Sequence, residues 1–187
     1  MKHLGTKKLE TSRLILRPFT LEDAPTMYRN WASDPEVTKY LTWPAHGSVD
    51  ISRMILQDWI SHYEEDAFYQ WAIVPKETGE PVGSVSVVSH NDAAQLVQIG
   101  YCIGKGWWHQ GITSEALQAV IDFFFRDVGM NRIEARHDAN NPHSGGVMRK
   151  CGMIYEGTHR SSDVNNQGIC DACWYSILAS EWRGHDQ

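Results

Sequence analysis

The segment from Leu96 to Phe125 constrains the fold more than any other part of the sequence. It opens with an apolar stretch, Leu96–Ile103, that is typical of a strand but contains Gly100. A glycine inside a strand indicates a bulge or the close approach of another group to the backbone. A glycine-containing loop follows, and a helical pattern starts at Thr113. The apolar face of this predicted helix comprises Ala116, Leu117, Val120, Ile121, Phe124 and Phe125.

The loop before this helix is a candidate phosphate-binding element. Free main-chain N–H groups and the positive end of the helix dipole point the same way at a helix N-terminus. The P-loop pattern requires Gly-Lys-Ser/Thr, whereas Gly111 is followed by Ile112 and Thr113. The dinucleotide pattern requires a third glycine where His109 stands. A nucleotide-dependent enzyme is therefore disfavoured, and the alternative is a simple turn in which Thr113 or Ser114 caps the helix.

Strands and helices alternate along the first half of the chain. Residues 13–19 predict a strand that ends at Pro18, and Thr20 caps the helix that follows. A second helix opens at Ser48, and its apolar positions at helical spacing are Ile51, Met54, Ile55, Trp59 and Ile60. Turn-forming residues separate two further strands, which together predict a hairpin: Gln70–Val74 and Val82–Ser89.

The second half of the chain predicts a strand, a short helix and two final strands. Residues 131–137 alternate as a strand and lead into a polar loop. A short helix, Val147–Lys150, ends at Gly152, which suits the left-handed conformation after a helix. The Asn165–Gly168 segment predicts a tight reversal between the last two strands.

Composition excludes several classes of function. The net charge of −6 comes without a block of like charges, which argues against non-specific nucleic-acid binding. No stretch approaches the ~20 apolar residues that cross a bilayer, and the first nine residues do not resemble a signal peptide. We therefore expect a cytoplasmic protein with reduced cysteines. Cys170 and Cys173 have metal-like spacing, but they would face opposite sides of a strand, so we expect no metal.

Several motifs, taken in register, resemble the GNAT superfamily of acetyltransferases, and in particular its ribosomal-protein N-terminal acetyltransferase-like branch. The resemblance covers residues 9–182 in order. The matching segments are Glu10–Pro18, Ile99–Tyr101, Trp108–Ala116, the Asn-x-x-Ser motif at 141–144, Lys150–Met153 and Tyr175–Leu178.

This resemblance implies an α+β GNAT fold. The sheet would be mixed, strongly twisted and splayed at its centre, with helices on both faces. One acetyltransferase domain would span residues 9–182, with terminal extensions at 1–8 and 183–187. A homodimer is plausible for this branch, although no sequence feature requires one.

The same resemblance implies acetyl-CoA as the co-substrate. Its pantetheine arm would bond to the backbone of Tyr101, Cys102 and Ile103, with Gly100 as the bulge residue. Its pyrophosphate would bind N–H groups of the loop. The residues assigned to the loop and its surroundings are Trp108, His109, Gln110, Gly111, Ile112, Thr113, Ser114, Asn141 and Lys150. Trp108 replaces the Arg or Gln of many relatives, so its side-chain role differs from theirs.

The resemblance assigns catalysis to Ser144 and Asn141. Ser144 would protonate the departing thiolate, and Asn141 would bind the pantetheine or the carbonyl end of the arm. The alternative for Ser144 is a role as the N-cap of the following helix. The alternative for Asn141 is a side chain that hydrogen-bonds to main-chain groups of the loop. A backbone N–H of the strand at Tyr101 would hold the oxyanion. The candidate bases are left unranked: Glu134, His137, Asp138 and His143. Glu115 is interpreted as structural because a carboxylate is favoured at a helix start.

The amine that accepts the acetyl group is the least constrained part of the hypothesis. Tyr40, Trp43 and Trp71 are candidates for the acceptor cleft, with ordinary packing as the alternative for each. The resemblance points to a protein N-terminal amine, such as that of a ribosomal protein, attacked directly in a ternary complex. A small amine, such as a polyamine, an amino acid or an antibiotic, stays open, as does a non-catalytic CoA-binding module.

Overall fold

A mixed sheet of eight strands runs through the computed structural model, which describes residues 1–184. The strands are β1 (Leu9–Glu10), β2 (Leu14–Arg17), β3 (Gln70–Pro75), β4 (Gly83–Asn91), β5 (Leu96–Ile103), β6 (Arg132–Asp138), β7 (Ile154–Asn165) and β8 (Gly168–Leu178). Their order is β1-β2-β3-β4-β5-β6-β8-β7. Neighbouring strands are antiparallel except β5 and β6, which are parallel. Residues 185–187 of the predicted C-terminal extension lie outside the described residues.

Helices cover both faces of this sheet, which confirms the predicted α+β architecture. The helices are α1 (Ala24–Met27), α2 (Pro35–Thr38), α3 (Val49–His62), α4 (Ile112–Phe123) and α5 (Pro142–Lys150). A 3₁₀ turn, Leu21–Asp23, precedes α1, and a five-residue π turn, Tyr28–Ala32, extends it. A second π turn, Phe124–Val128, extends α4. Among residues 1–184, none of these helices combines the length and apolar character that a bilayer span requires.

Two apolar cores hold the layers together. The larger packs α4 and α5 against the sheet, and the whole predicted apolar face of α4 is buried in it. The smaller joins α1 and α3 to the opposite face around Trp31 and Leu56. Each fully buried large side chain contributes about 1.5–3 kcal/mol. The predicted apolar face of α3 is partly wrong, because Ile51 is 41% exposed and Met54 is 68% exposed.

Two of the predicted helix starts, the one capped by Thr20 and the one at Val147, have different outcomes. At the first, the Asp23 carboxylate accepts a hydrogen bond from the Thr20 N–H at 2.9 Å, as a capping box requires. At α5, the helix begins at Pro142 rather than at Val147. Proline is favoured at a first helical position because it has no N–H to satisfy there. Ser144 therefore lies inside the first turn, and its interpretation as the cap is wrong.

The predicted bulge at Gly100 is also wrong. Val88 on β4 is the extra residue, because the register shifts between Val87↔Ile99 and Ser89↔Gln98. A Cβ on Gly100 would lie 2.9 Å from a methyl of Val88. The glycine is needed because the bulged neighbour covers it, not because its own strand is irregular.

Candidate active site

Strands β5 and β6 diverge after a short contact. Within residues 1–184 their parallel ladder joins only Leu96–Gln98 to Arg132–Glu134. Beyond this point β5 stays paired with β4 and β6 stays paired with β8. The two halves of the sheet therefore open into a cleft of ≈ 290 Å³.

The wall that β5 presents to this cleft carries main-chain hydrogen-bonding groups. The Gly104 N–H donates to the Val82 carbonyl at 2.8 Å, on the β4 side. Because successive residues of a strand point their N–H and C=O groups to opposite sides, those of Tyr101 and Ile103 face the cleft. The Ile103 carbonyl accepts the Trp108 indole N–H at 2.9 Å. An extended amide arm can pair with the groups that remain, as it would with a neighbouring strand.

The loop at the start of α4 has the form of an anion-binding site. His109 and Gly111 both take the left-handed conformation, with φ of 60° and 75°. Gly111 is the N-cap residue and has no side-chain cap bond, so neither Thr113 nor Ser114 caps the helix. The Glu115 N–H donates to the Gly111 carbonyl, whereas the N–H groups of the first turn have no intrahelical acceptor. These groups and the helix dipole favour a phosphate there.

Two cations flank this loop. A Cβ on Gly111 would lie 3.3 Å from Lys150 Nζ and 3.5 Å from Arg13 Nη2. Lys150 is one of the predicted cofactor residues, but Arg13 was missed. Its guanidinium donates to the Gln110 carbonyl at 3.1 Å and to the Glu115 carboxylate at 2.6 Å. Arg13 lies on the neighbouring segment before β2, so no local motif around the loop could have pointed to it.

Glu115 fixes this arrangement, which agrees with its interpretation as structural. Its carboxylate accepts hydrogen bonds from the Thr11 hydroxyl at 2.5 Å and from the Arg13 N–H at 3.1 Å. Burial alone would raise the pKa of Glu115, but these bonds and the Arg13 guanidinium outweigh burial and lower it. The charged carboxylate thus ties the segment between β1 and β2 to the first turn of α4.

Ser144 and Tyr101 face each other across the cleft. The Tyr101 hydroxyl donates to the Ser144 carbonyl at 2.8 Å and accepts the Ser144 hydroxyl at 3.0 Å. Burial raises the pKa of the Tyr101 phenol above its ordinary value, so the phenol stays protonated. Both residues line the cleft. The pair places a hydroxyl proton donor where the strands separate.

Asn141 also lines the cleft. It is the N-cap residue of α5, but its side chain makes no cap hydrogen bond. Its main-chain N–H donates to the Asp138 carbonyl at 2.8 Å. The position supports the predicted contact with the pantetheine arm better than the alternative, in which the side chain serves the loop.

The four candidate bases have different environments. Glu134 bonds to Arg132 at 3.2 Å within the ladder of β5 and β6, before the strands separate. His143 is exposed, and its ring packs edge-on against His109, with 4.9 Å between centroids. Neither residue lines the cleft, so the structure reduces the choice to His137 and Asp138.

His137 and Asp138 lie on the β6 wall. Burial lowers the pKa of His137, whose Nδ1 bonds to the Asp138 carbonyl at 2.7 Å. Its Nε2 is buried without a partner among the described residues and faces Gly145 rather than the cleft. Burial would raise the pKa of Asp138, but bonds from the Asn140 N–H and the Asn165 amide outweigh it and lower that pKa. Asp138 is therefore a carboxylate suited to orienting a cation.

One end of the cleft is formed by the segment after α2 and by the ends of β7 and β8 that flank their turn. Tyr40 and Trp43, the residues predicted for the acceptor, line this end. The Asn166 amide donates to the carbonyls of Thr38 and Trp43, both at 2.8 Å. Asn166 therefore holds the aromatic segment over the cleft, a role that no sequence motif indicated.

Trp71 lies elsewhere than the sequence suggested, whereas Trp108 lies at the loop before α4. Trp71 is fully buried, stacks on Tyr69 at 5.6 Å between centroids, and donates its indole N–H to the Lys7 carbonyl at 2.7 Å. It belongs to the core and does not line the acceptor cleft, so ordinary packing replaces the predicted substrate contact. Trp108 is half-buried, and its indole N–H is engaged by Ile103. Ile112, Thr113 and Ser114 are buried, and Ser114 lines a second pocket at this loop together with Gly111 and Lys150.

Comparison with known proteins gives one family. The model described as "Acetyltransferase (GNAT) domain" matches residues 13–154. The chain is 32% identical to the N-acetyltransferase p20 of Bacillus licheniformis over 176 residues, which cover 94% of this chain and 98% of that protein. It is 29% identical over 125 residues to the [ribosomal protein uS5]-alanine N-acetyltransferase of Escherichia coli, covering 66% of this chain and 57% of that protein.

A solved structure shares the fold. The ribosomal α-N-protein acetyltransferase RimL, in complex with coenzyme A, superimposes with a TM-score of 0.82 at 20% identity. The match covers 92% of this chain and 98% of that one. The splayed sheet is therefore a feature of a known architecture, one member of which has been solved with coenzyme A.

Proposed function

This chain belongs to the GNAT acetyltransferase family, and from that membership we propose that it acetylates the α-amine of a protein N-terminus. It is an acetyl-CoA-dependent acyltransferase. The acceptor, the direct attack in a ternary complex and the roles of individual residues are our proposal. A ribosomal protein is the kind of acceptor that the names of two relatives support.

One observation carries the proposal: the open edge of β5 lines the cleft between β5 and β6, and the loop that follows the same strand lines a second pocket together with Arg13 and Lys150. Tyr101 and Ile103 offer main-chain groups to the amides of pantetheine. The first turn of α4, Arg13 and Lys150 offer N–H groups and positive charge to the pyrophosphate. Hydrogen bonds to an anion contribute about 1.5–3 kcal/mol each, enough to hold the co-substrate without a metal.

The reaction exchanges one bond for another. The neutral amine attacks the thioester carbonyl carbon, a C–N bond forms, the C–S bond breaks, and the sulfur leaves as a thiolate. Ser144 gives its hydroxyl proton to that thiolate, and the attacking nitrogen releases one proton to solvent, from which Ser144 regains its own. The Tyr101 phenol holds the Ser144 main chain and accepts its hydroxyl in the resting enzyme. A backbone N–H of β5 stabilises the oxyanion.

The environment of the bases favours an α-amine over a lysine. His137 Nε2 does not reach the cleft, and Asp138 is a carboxylate with a lowered pKa, hence a weak base. At pH 7.5 roughly a third of an α-amine is neutral, against about 0.1% of a lysine side chain. An acceptor that is already partly neutral needs no strong base. Asp138 would orient the amine rather than deprotonate it.

The size of the cleft bears on the alternatives. A volume of ≈ 290 Å³ must hold both the thioester end of the arm and the amine, whereas pockets for drug-sized ligands span about 300–1,000 Å³. The end of a polypeptide or a small polyamine or amino acid suits this space better than a bulky antibiotic. The intact Ser144 and Asn141 argue against a non-catalytic CoA-binding module.

Mass spectrometry of three peptide sets tests the acceptor. The enzyme is incubated with acetyl-CoA and with peptides that have a free N-terminus and no lysine, a blocked N-terminus and one lysine, or neither amine. We expect acetylation of the first set, little of the second and none of the third. Acetylation confined to added polyamines or amino acids would replace the proposal by the small-amine alternative, and thioester turnover without any acceptor product would remove both.

A further inference from the structure

Two imidazoles and a carboxylate meet outside the cleft. His3 precedes β1, His90 lies near the end of β4, and Asp92 follows in the turn to β5. His3 Nε2 is 3.1 Å and His90 Nδ1 is 2.7 Å from the same Asp92 oxygen, Oδ1. One ligand atom from each residue lies within 4.8 Å of the other two. His3 is distant in sequence from His90 and Asp92, so no spacing motif could have indicated all three.

The His3 ring is held in position from behind. Its second nitrogen, Nδ1, lies 3.0 Å from the Tyr69 hydroxyl. Tyr69 is 1% exposed, and its hydroxyl also accepts the Leu4 N–H at 3.1 Å. Metal-binding histidines nearly always have such an outer partner, because it fixes the ring orientation and leaves the other nitrogen for the metal. Here the outer partner leaves Nε2 directed at Asp92.

We propose that His3, His90 and Asp92 form a zinc site that joins the N-terminal segment to the turn between β4 and β5. Two imidazole nitrogens and one carboxylate oxygen are a donor set that zinc accepts, with water in the fourth position. In a tetrahedral site with bonds of about 2.0–2.1 Å, neighbouring ligand atoms are about 3.3 Å apart. The observed separations of 2.7 and 3.1 Å from Asp92 Oδ1 would open by about 0.6 and 0.2 Å to reach this value.

The exposure of two of the three side chains allows the ligand atoms to move apart in this way. The side chains of His90 and Asp92 are 38% and 55% exposed, so both can rotate, whereas His3 is 12% exposed and fixed. A hydrogen-bonded clasp without metal is the competing account of the same contacts, and it predicts no response to zinc.

Zinc titration of the full-length, untagged protein tests the site. Metal removed by a chelator and returned at one equivalent is expected to raise the melting temperature, and native mass spectrometry is expected to show one ion per chain. Cobalt substituted for zinc should give the visible bands of a tetrahedral site. His90→Ala or Asp92→Ala should abolish the thermal shift. Tyr69→Phe keeps all three ligands and should weaken zinc affinity by about 10–100-fold.

His62→Ala is the matched control, since His62 is a half-buried histidine at the end of α3 whose Nε2 lies 4.0 Å from the Glu65 carboxylate. It should retain the whole response to zinc. A thermal shift that survives His90→Ala and Asp92→Ala would overturn the proposal, as would binding only at millimolar zinc. Acetyl transfer by the His90→Ala protein is expected to be unchanged, so this test is independent of the acceptor assignment.

Discussion

The position of the Ser144 side chain depends on Tyr101, a partner that no motif around Ser144 indicates. The Asn-x-x-Ser pattern pointed to Ser144 through family resemblance, but Tyr101 enters only because β5 and α5 face each other across the cleft. The two hydrogen bonds between these residues fix both the main chain and the hydroxyl of the serine. The proposed proton donor is therefore positioned by a side chain on β5, the strand that would also bind the arm of the co-substrate.

Replacement of Ser144 by alanine should lower turnover while acetyl-CoA binding persists. General acid catalysis typically contributes about 100–10,000-fold to the rate, and we expect a loss of about 100-fold or less because water can replace the hydroxyl; the anion-binding loop is untouched. Steady-state kinetics with both substrates measures the change in kcat and in each KM. Ser86→Ala, another serine of the cleft lining, should leave kcat near that of the parent. An unchanged kcat for Ser144→Ala would remove Ser144 from the chemistry.

Two adjacent glycines of α5 should respond oppositely to alanine. A Cβ on Gly145 would lie 2.4 Å from His137 Nε2, whereas a Cβ on Gly146 meets nothing closer than 3.9 Å. The His137 ring is held by its bond to the Asp138 carbonyl, so it cannot yield freely. Gly145→Ala should destabilise by about 1–3 kcal/mol through overpacking.

Gly146→Ala is the control for that change and should stabilise by up to ~1 kcal/mol through helix propensity. Chemical denaturation of both variants measures the two free energies of unfolding. Equal effects of the two substitutions would show that His137 does not occupy the space above Gly145.

Some site residues could be predicted from consecutive sequence, and others could not because they come from distant segments. The loop from His109 to Ser114 could be predicted because a strand, a glycine and a helix start are consecutive in sequence. Arg13 could not, because it reaches the loop from a segment 97 residues away. Trp71 was misassigned because an aromatic residue has the same sequence signal in a core as in a cleft. Packing decides between the two, and packing depends on the register of β3.

At the scale of elements, the turn between β7 and β8 supports the acceptor end. Asn166→Ala removes both amide bonds to the carbonyls of Thr38 and Trp43. We expect the KM for the acceptor to rise by about 3–10-fold, since two hydrogen bonds of about 0.5–1.5 kcal/mol each restrain the segment. The KM for acetyl-CoA should not change.

Gln167→Ala in the same turn is the matched control for Asn166→Ala, and kinetics with a peptide acceptor compares them. An equal rise in both Michaelis constants would mean that the turn supports the fold as a whole rather than the acceptor end. No rise in either would mean that Tyr40 and Trp43 do not bind the acceptor.

An ion pair between β6 and β7 should make the free energy of unfolding depend on pH. The Arg132 guanidinium, and with it the Ser176 hydroxyl, lowers the pKa of Glu156 from 4.5 to about 2 against the effect of burial. A depressed carboxyl pKa contributes stability above the unfolded value, and the contribution is lost as pH falls through the folded value. Glu156→Gln should therefore be less stable than the parent above pH 4.5, and the difference should disappear towards pH 2.

Urea denaturation across that range measures the difference between the parent and Glu156→Gln. Glu64→Gln, on an exposed residue between α3 and β3, should show no comparable pH dependence. A difference that stays constant from pH 5 to pH 2 would show that Glu156 acts through packing rather than charge.

The elements themselves were mostly readable from local patterns. Strand β5 has the bounds predicted for it, and the hairpin of β3 and β4 and the helical segment capped by Thr20 also formed as predicted. The errors arise where a neighbouring element decides the outcome. The bulge lies on β4 because Val88 covers Gly100, and α3 exposes Met54 because only part of its surface meets the sheet. Local periodicity contains no information about which other element will pack against a given residue.

At the scale of the whole molecule, the sheet consists of two halves joined by three residue pairs of β5 and β6. Such a narrow junction leaves the cleft open but concentrates the coupling between halves in few hydrogen bonds. The sequence could suggest the splay only by resemblance, because strand order and divergence are tertiary properties. A co-substrate that contacts β5, the start of α4 and α5 would bridge the two halves.

That bridging predicts a particular pattern of hydrogen exchange. Coenzyme A at 100 times its dissociation constant adds about 2.7 kcal/mol, which slows globally exchanging amides about 100-fold. If the ligand couples the halves, amides of β3 on one side and of β8 on the other should slow by the same factor. The loop amides from His109 to Ser114, and those of Tyr101 and Ile103, should gain additional local protection. Slowing confined to one half would mean that the halves open independently and that the co-substrate binds only one of them. Unchanged loop amides would contradict the assigned phosphate site, because a ligand held there must occupy those N–H groups.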